Sequence, residues 1–342
     1  MKLAFVVDPL DQLKAYKDSS VAMMREAARR GHSIHAFEAR EMFVRDGEVR
    51  ASMRRLRVAG GDTAWYRAQR DKELPLSDFD VVVMRKDPPF DQEYYYATLL
   101  LERAEAQGAR VVNRPRALRD WNEKLSILRF AGLVPPTLVA SDAARLQSFI
   151  DAQGDVIVKK LDGMGGTMVF RVRERDPNRN VIVETLTDTG RRTVMAQRFV
   201  PQIAKGDKRV LVIDGRPFPR CLARIPKAGE TRGNLAAGAA GVAQPLSARD
   251  REIAETVGRE LAADGIVFAG LDVIGDWLTE VNVTSPTCIV EIAEQTGENA
   301  AQPLIDALER LATTRGSQRR PQRSRKAQAP RAGRTAGPIR TP

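Results

Sequence analysis

Apolar residues recur along this chain with two different periods, and the two alternate through its first third. KLAFVVD reads as a strand and SSVAMMREAARRG as a helix, with Ser19 or Ser20 placed to cap it and Gly31 to end it. HSIHAFEA and FDVVVMR read as two more strands, DQEYYYATLLLERAEAQG as a long helix closed by Gly108, and ARVVNRP as another strand. Strands alternating with helices predict βαβ units and a parallel, doubly wound sheet. Such sheets bind ligands beyond the carboxyl ends of their strands, which singles out DPLDQLKAYKDSS and RKDPPFD.

Past Trp121 the pattern changes. NEKLSILRFAGLVPPTLVAS holds a short helix and a strand, and a strand-rich stretch follows: DVIVKKL, TMVFRV, NVIVETL, RTVMAQRFV and DKRVLVIDGRPF. Asp-Gly between apolar runs in the last predicts a hairpin. A helix over ARDREIAETVGRELAADG leads to IVFAGLDVIGDWLTEVNV, and an amphipathic helix near AAQPLIDALERLA precedes the C-terminal tail. The expected division is 1–121, 122–312 and a tail of 313–342.

Composition changes this picture in one place. The net charge of +11 suggests a nucleic-acid partner, but the chain from Arg315 onward carries nine Lys/Arg and no acid. Subtracting those nine from +11 leaves a body at +2, so the basicity belongs to the tail. Rich in Pro, Gly and Ala, the tail is expected to be a disordered, solvated appendage, with an RNA or membrane-surface contact as the lesser alternative. Two distant cysteines, Cys221 and Cys288, argue against a disulfide framework. No apolar run approaches the roughly 18 residues of a membrane span, and Asp8 and Pro9 cut the first apolar run too short for a signal peptide. A cytoplasmic setting follows.

The candidate chemistry begins at VIVKKLDGMGGTMVFRV, a glycine loop between two strands. Glycines let backbone amides approach an anion closely, and Lys159 or Lys160 before the loop supplies fixed positive charge. Strand alternation lets only one of the two face a nucleotide. A plain tight hairpin is the other reading. In GLDVIGDWLTEVNVTSP, Glu280 and Asn282 share a strand face. A three-residue loop over Gly275–Trp277 would set Asp272 opposite Glu280, whereas a two-residue loop at Gly275–Asp276 would turn Asp272 away. Together these hard oxygen donors suit Mg²⁺; a half-exposed hairpin is the bland alternative. Residues 226–241 are nine-sixteenths Gly or Ala, too poor in apolar side chains for a core, and read as a lid or a disordered insert. Arg209 and Arg224 bracket the VLVIDG hairpin and face either an anion or solvent. His32 and His35 lack the neighbours of a hydrolytic triad.

Taken in order, KDSS, MRKDPPFD, NEKL, LDGMGG, GDKRVLV, CLARIP, GETRGNLAAG and GLDVIGDWLTEVNVTSPTC resemble the ATP-grasp superfamily, and in detail the bacterial glutathione synthetases. The resemblance covers the body to about residue 312. It implies a pre-ATP-grasp domain followed by an ATP-grasp module, an α/β and α+β fold with the nucleotide between two antiparallel sheets. It also implies that Lys124 and Lys159 contact the phosphates of ATP beneath a flap of Asp162, Gly163, Met164, Gly165 and Gly166. Gln197 and Val200 would hold adenine, and Asp207 the ribose. Asp272, Glu280 and Asn282 would hold Mg²⁺, with Mn²⁺ as the alternative, and Arg209 and Arg224 would act in catalysis. Ser19, Arg85, Arg232, Asn234 and Ser285 would bind substrate. Lys160 departs from the family, where proline is more usual. The implied reaction joins γ-glutamylcysteine to glycine through an acyl phosphate, in a homo-oligomer (a tetramer by resemblance) with no membrane partner. The rivals are an ATP-grasp ligase with another acceptor, such as D-alanine or glutamate, a non-catalytic ATP-binding regulator, and a nucleic-acid binder working through the tail.

Overall fold

The computed structural model describes residues 1–313; the expected basic tail lies outside them, apart from Thr313, which closes the last helix. The first part runs β1 (Lys2–Val6), α1 (Ser19–Arg29), β2 (Ser33–Phe37), β3 (Met42–Arg45), β4 (Glu48–Val58), β5 (Tyr66–Ala68), β6 (Lys72–Pro75), β7 (Val81–Met84), α2 (Gln92–Ala106), β8 (Val111–Val112) and α3 (Pro115–Asp120). β2, β1, β7 and β8 pair in parallel in that order, as βαβ alternation requires. The sequence reading missed the antiparallel extension: β4 pairs with β2, β3, β5 and β6. Asp46 and Gly47, both at positive φ, turn β3 into β4, an Asp-Gly signal like the one that was read downstream. α1 is capped by Asp18, whose carboxylate accepts from the Val21 N–H, rather than by Ser19 or Ser20, which lie buried inside its first turn.

The second part opens with a 3-10 stretch, Leu125–Leu133, and continues through β9 (Thr137–Ala140), α4 (Ala143–Gln153), β10 (Asp155–Lys160), β11 (Val169–Arg173), α5 (Arg179–Thr187) and β12 (Val194–Arg198). These strands form an antiparallel sheet in the order β11-β10-β12-β9. NVIVETL, expected as a strand, lies within α5. Its β-branched residues suit a strand, but Val183, Leu186 and Thr187 are the buried ones, the i, i+3, i+4 spacing of a helix face. Together with Leu146 and Ile150 of α4 and Val156 and Val158 of β10, Val183 and Leu186 form a small core of their own.

β13 (Asp207–Ile213), β14 (Arg216–Ile225), β15 (Ala240–Pro245), α6 (Ala248–Ala263), β16 (Phe268–Ile274), β17 (Trp277–Asn282), α7 (Ile289–Thr296) and α8 (Ala301–Thr313) complete the described chain. The second antiparallel sheet runs β15-β14-β13-β16-β17. Its Asp214-Gly215 turn is the predicted hairpin. One apolar core joins Val82, Met84 and Trp121 of the first part to Val210, Leu271 and Val281 of this sheet and to Ile253 of α6. Asn113 spans the same junction: its side chain donates to the Phe268 and Val283 carbonyls and accepts from the Val267 and Phe268 N–H groups.

Candidate active site

The β16–β17 hairpin decides the geometry of the acidic centre. Ile274 pairs with Trp277, so the loop is the two-residue Gly275–Asp276 turn, which by simple alternation would send Asp272 to the wrong face. A register shift between Asp272 and Val273 cancels that offset and leaves Asp272 opposite Glu280 and Gly270 opposite Asn282. The bulge does what the sequence reading asked of a longer loop. The Asn282 Nδ2 donates to the Gly270 carbonyl, so Oδ1 is the acceptor its side chain has left to offer. Two carboxylates and an amide oxygen from neighbouring positions form a hard-donor set that fits Mg²⁺.

Protein cations surround these acids. Arg209 Nε donates to Asp272 Oδ1 at 2.6 Å, and Arg224 Nη2 lies 3.0 Å from Asp272 Oδ2 and 2.5 Å from Asp207 Oδ2. Lys124 Nζ is 2.9 Å from Glu280 and donates to the Gly163 carbonyl at 2.5 Å, tying the glycine loop to the acidic hairpin. Lys159 Nζ donates to the Thr279 carbonyl at 3.2 Å. Alternation along β10 turns Val156 and Val158 into the small core and Ile157 and Lys159 toward the cleft. Lys160 points the other way, within the field of Asp188, so the charge that departs from the family pattern stays out of the cleft.

Two adjoining cavities share this centre. The first lies between the two antiparallel sheets and is lined by Lys124, Lys159, Gly163, Met164, Gly165, Gly166, Gln197, Val200, Asp207, Arg232, Asn234, Asp272 and Glu280 among others. The second is reached past Lys124 and Glu280 and brings in Arg209, Arg224, Asn282 and Ser285. Asp162 lines neither, facing a separate hollow with Phe90 and Trp121. Ser19 and Arg85 also stand behind the wall: Ser19 Oγ accepts from the Ile289 N–H, while Arg85 donates to Ser20 Oγ and to the Pro286 carbonyl at 2.9 Å. The 226–241 segment carries a 3-10 turn, Leu235–Ala237, and runs into β15. Its Arg232 and Asn234 touch the glycine loop so closely that a Cβ on Gly166 would come within 2.6 Å of Asn234 Oδ1.

Three comparisons with known proteins bear on this cleft. The model of the prokaryotic glutathione synthetase N-terminal domain matches residues 1–119, and that of the prokaryotic glutathione synthetase ATP-grasp domain matches residues 123–297. A glutathione synthetase of Nitrosomonas europaea is 56% identical over 312 residues, covering 90% of this chain and 98% of that protein. One from Salmonella typhimurium is 53% identical over 309 residues, again covering 90% and 98%. The chain belongs to the prokaryotic glutathione synthetase family. It is an ATP-grasp ligase of glutathione biosynthesis, and the family binds ATP and Mg²⁺. The fold extends beyond close relatives: D-cycloserine synthetase DcsG superposes with a TM-score of 0.64 at 17% identity, over 91% of this chain and 100% of that one.

Electrostatics in this glutathione synthetase-family cleft follow from burial and close pairing. Burial raises the Asp272 carboxyl, but Arg209 and Arg224 outweigh it and hold the group below the usual range. Asp207 has one guanidinium partner and an Oδ1 with no donor, and burial pushes it up to about 7. Burial lowers Lys159. Lys124 suffers the same penalty, yet Glu280, Glu123 and Asp272 together raise it. The sequence reading did not single out Glu123, whose Oε1 accepts from the Val283 and Thr284 N–H groups and the Thr284 hydroxyl. These bonds pin the residue before Lys124 to the end of β17. An acid inside the quoted NEKL string was the available signal.

Proposed function

We propose that the chain joins the cysteinyl carboxylate of γ-glutamylcysteine to glycine at the expense of ATP, with the residues of the two cavities in the following roles. Lys124 and Lys159 bind the β- and γ-phosphates, the 162–166 flap covers them, the backbone near Gln197 and Val200 holds adenine, and Asp207 takes a ribose hydroxyl. The undonated Asp207 Oδ1 supports that last role, since a buried acceptor without a partner is costly. Asp272, Glu280 and Asn282 hold Mg²⁺, and the same oxygen set suits Mn²⁺. Bound there, the ion supplies Lewis-acid neutralisation of phosphate charge. Arg209 and Arg224 stabilise the transferring phosphoryl group and the tetrahedral centre that follows. Ser285 contacts the dipeptide, Ser19 and Arg85 brace that wall, and Arg232 and Asn234 close the 226–241 lid.

The carboxylate attacks the γ-phosphorus of ATP and ADP leaves, giving an acyl phosphate. Glycine's amine then adds to the acyl carbon and phosphate departs with its C–O bond electrons. An acyl phosphate hydrolyses in water, so a lid and flap that meet over the cleft have a chemical purpose. The observation that carries this reading is the acidic hairpin facing two arginines and two lysines where the cavities join. We divide the chain functionally at residue 121. We further place the enzyme in the cytoplasm as a homo-oligomer, a tetramer by resemblance to its family. Among the described residues no helix is long and apolar enough to cross a membrane. ADP release measured with ATP, Mg²⁺ and γ-glutamylcysteine tests the reading. It is expected to depend on glycine and to match glutathione formed; glycine-independent release, or none, contradicts it.

A further inference from the structure

The second cavity has two ends of different character. Lys124, Gly163, Met164, Gly165, Asn234 and Glu280 belong to both cavities, so phosphoryl transfer has its place at that end. Outside the first cavity the second is lined by Arg209, Arg224 and Asn282 of the acidic centre, and by a far wall with Asp87, Pro88, Ser285, Thr287 and Cys288. On the ligase reading above, on which this inference rests, the cysteinyl carboxylate and the attacking glycine occupy the shared end. The γ-glutamyl arm then extends away from it and carries an amino-acid head, an ammonium beside a carboxylate, toward the far wall.

Asp87 is the carboxylate on that wall, and the loop bearing it is held in place. Its N–H donates to Asp8 Oδ2 at 2.8 Å, and Lys86 Nζ reaches Asp8 Oδ1 at 3.3 Å, so the turn after β7 is fastened to the turn after β1. Ser285 lines the same cavity as Asp87 and favours its charged form. Arg85, two residues earlier, holds the facing turn through the Pro286 carbonyl. The two walls are therefore fixed to each other around an acid that no cation bonds at salt-bridge distance among the described residues. Asp87 stays exposed to solvent at the cavity; partial desolvation by the surrounding walls, with Asp8 and Asp18 adding to it against Ser285 and Arg85, pushes its carboxyl above the ordinary range, and an arriving cation would relieve it.

We infer that Asp87, on a loop fastened to Asp8, binds the α-ammonium of the γ-glutamyl group and thereby selects γ-glutamylcysteine over its des-amino analogue. The test compares γ-glutamylcysteine with N-glutarylcysteine, which lacks only that amino group, in the full-length wild type and in Asp87→Asn. Wild type is expected to lose roughly 10- to 100-fold in kcat/KM on the des-amino compound, the range for a hydrogen bond to a charged group. Asp87→Asn should lose a similar factor on the natural dipeptide, mainly in KM, and then treat the two compounds alike. Its KM for ATP and for glycine should stay within about twofold of wild type, because uniform binding of other substrates is untouched.

Undiminished discrimination by Asp87→Asn overturns the assignment, as does a rise in KM for glycine instead of the dipeptide. If Asp87→Asn does not fold, the wild type still decides: equal use of the two compounds rules out an ammonium contact at this wall. A wild-type chain that releases no glycine-dependent ADP with γ-glutamylcysteine overturns the ligase reading itself, which separates that failure from the failure of Asp87.

Discussion

Glu280 meets Lys124 at 2.9 Å and lies opposite Asp272 across the bulged hairpin, so one carboxylate touches both the proposed phosphate lysine and the proposed cation site. Glu280→Gln keeps its size and one acceptor oxygen but removes the charge that both neighbours use. Turnover is expected to fall by roughly 10²-fold or more, while thermal melting stays close to wild type. Unchanged activity at limiting Mg²⁺ would remove Glu280 from the cation site. At this scale the sequence was informative where periodicity applies: alternation along β10 selects one of two adjacent lysines, and Lys159 is the buried one. It was silent where a single residue breaks the period. Nothing in DVIGDWLTE announces that the strand gains an unpaired residue after a two-residue turn. Orientation behind a wall was equally hidden, since Ser19 and Arg85 sit at the ligand-binding ends of the strands yet spend their hydrogen bonds on Ile289, Ser20 and Pro286.

Elements with strong local signals were legible. The Asp214-Gly215 hairpin, α2 with its closing Gly108, and α6 all fall where turn chemistry and helical spacing put them. α5 was not, because its β-branched run satisfies a strand by composition and only packing against α4 and β10 reveals the helical face. The 226–241 segment was readable as a core-poor loop, but its contact with the glycine flap is a tertiary fact. A Cβ on Gly233 would come within 2.6 Å of the Asp207 Cβ, so the segment lies directly on the proposed ribose residue. Lys227 is exposed beside it. Trypsin is expected to cut the free enzyme near Lys227 or Arg232, and ATP with both substrates should slow that cut severalfold. Equal rates with and without substrates would argue against a closing lid.

Across the whole molecule, one core runs from the parallel sheet into the second antiparallel sheet and takes in Met195 of β12, while α4, α5 and the other face of β10 to β12 keep a separate one. The proposed nucleotide cavity lies between the two antiparallel sheets. Stability of the first part carries a pH signature. His35 is buried against Phe79, and burial, with Lys2 and Arg55 nearby, lowers it from 6.5 to about 4. It stays neutral in the fold and takes up a proton on unfolding between those values, so its contribution is complete above pH 6.5 and is lost as the pH falls toward 4. The expected loss is on the order of 1–3 kcal/mol, visible as a melting-temperature slope that His35→Leu flattens. The same slope in both proteins would contradict it. At the scale of the reaction, the account stands on transfer of the γ-phosphoryl group to the cysteinyl carboxylate. The direct measurement supplies γ-glutamylcysteine with ¹⁸O in that carboxylate and reads the released phosphate by ³¹P NMR. One ¹⁸O in the phosphate is the predicted result, carried across when glycine displaces it; unlabelled phosphate alongside newly formed glutathione would contradict the acyl-phosphate route.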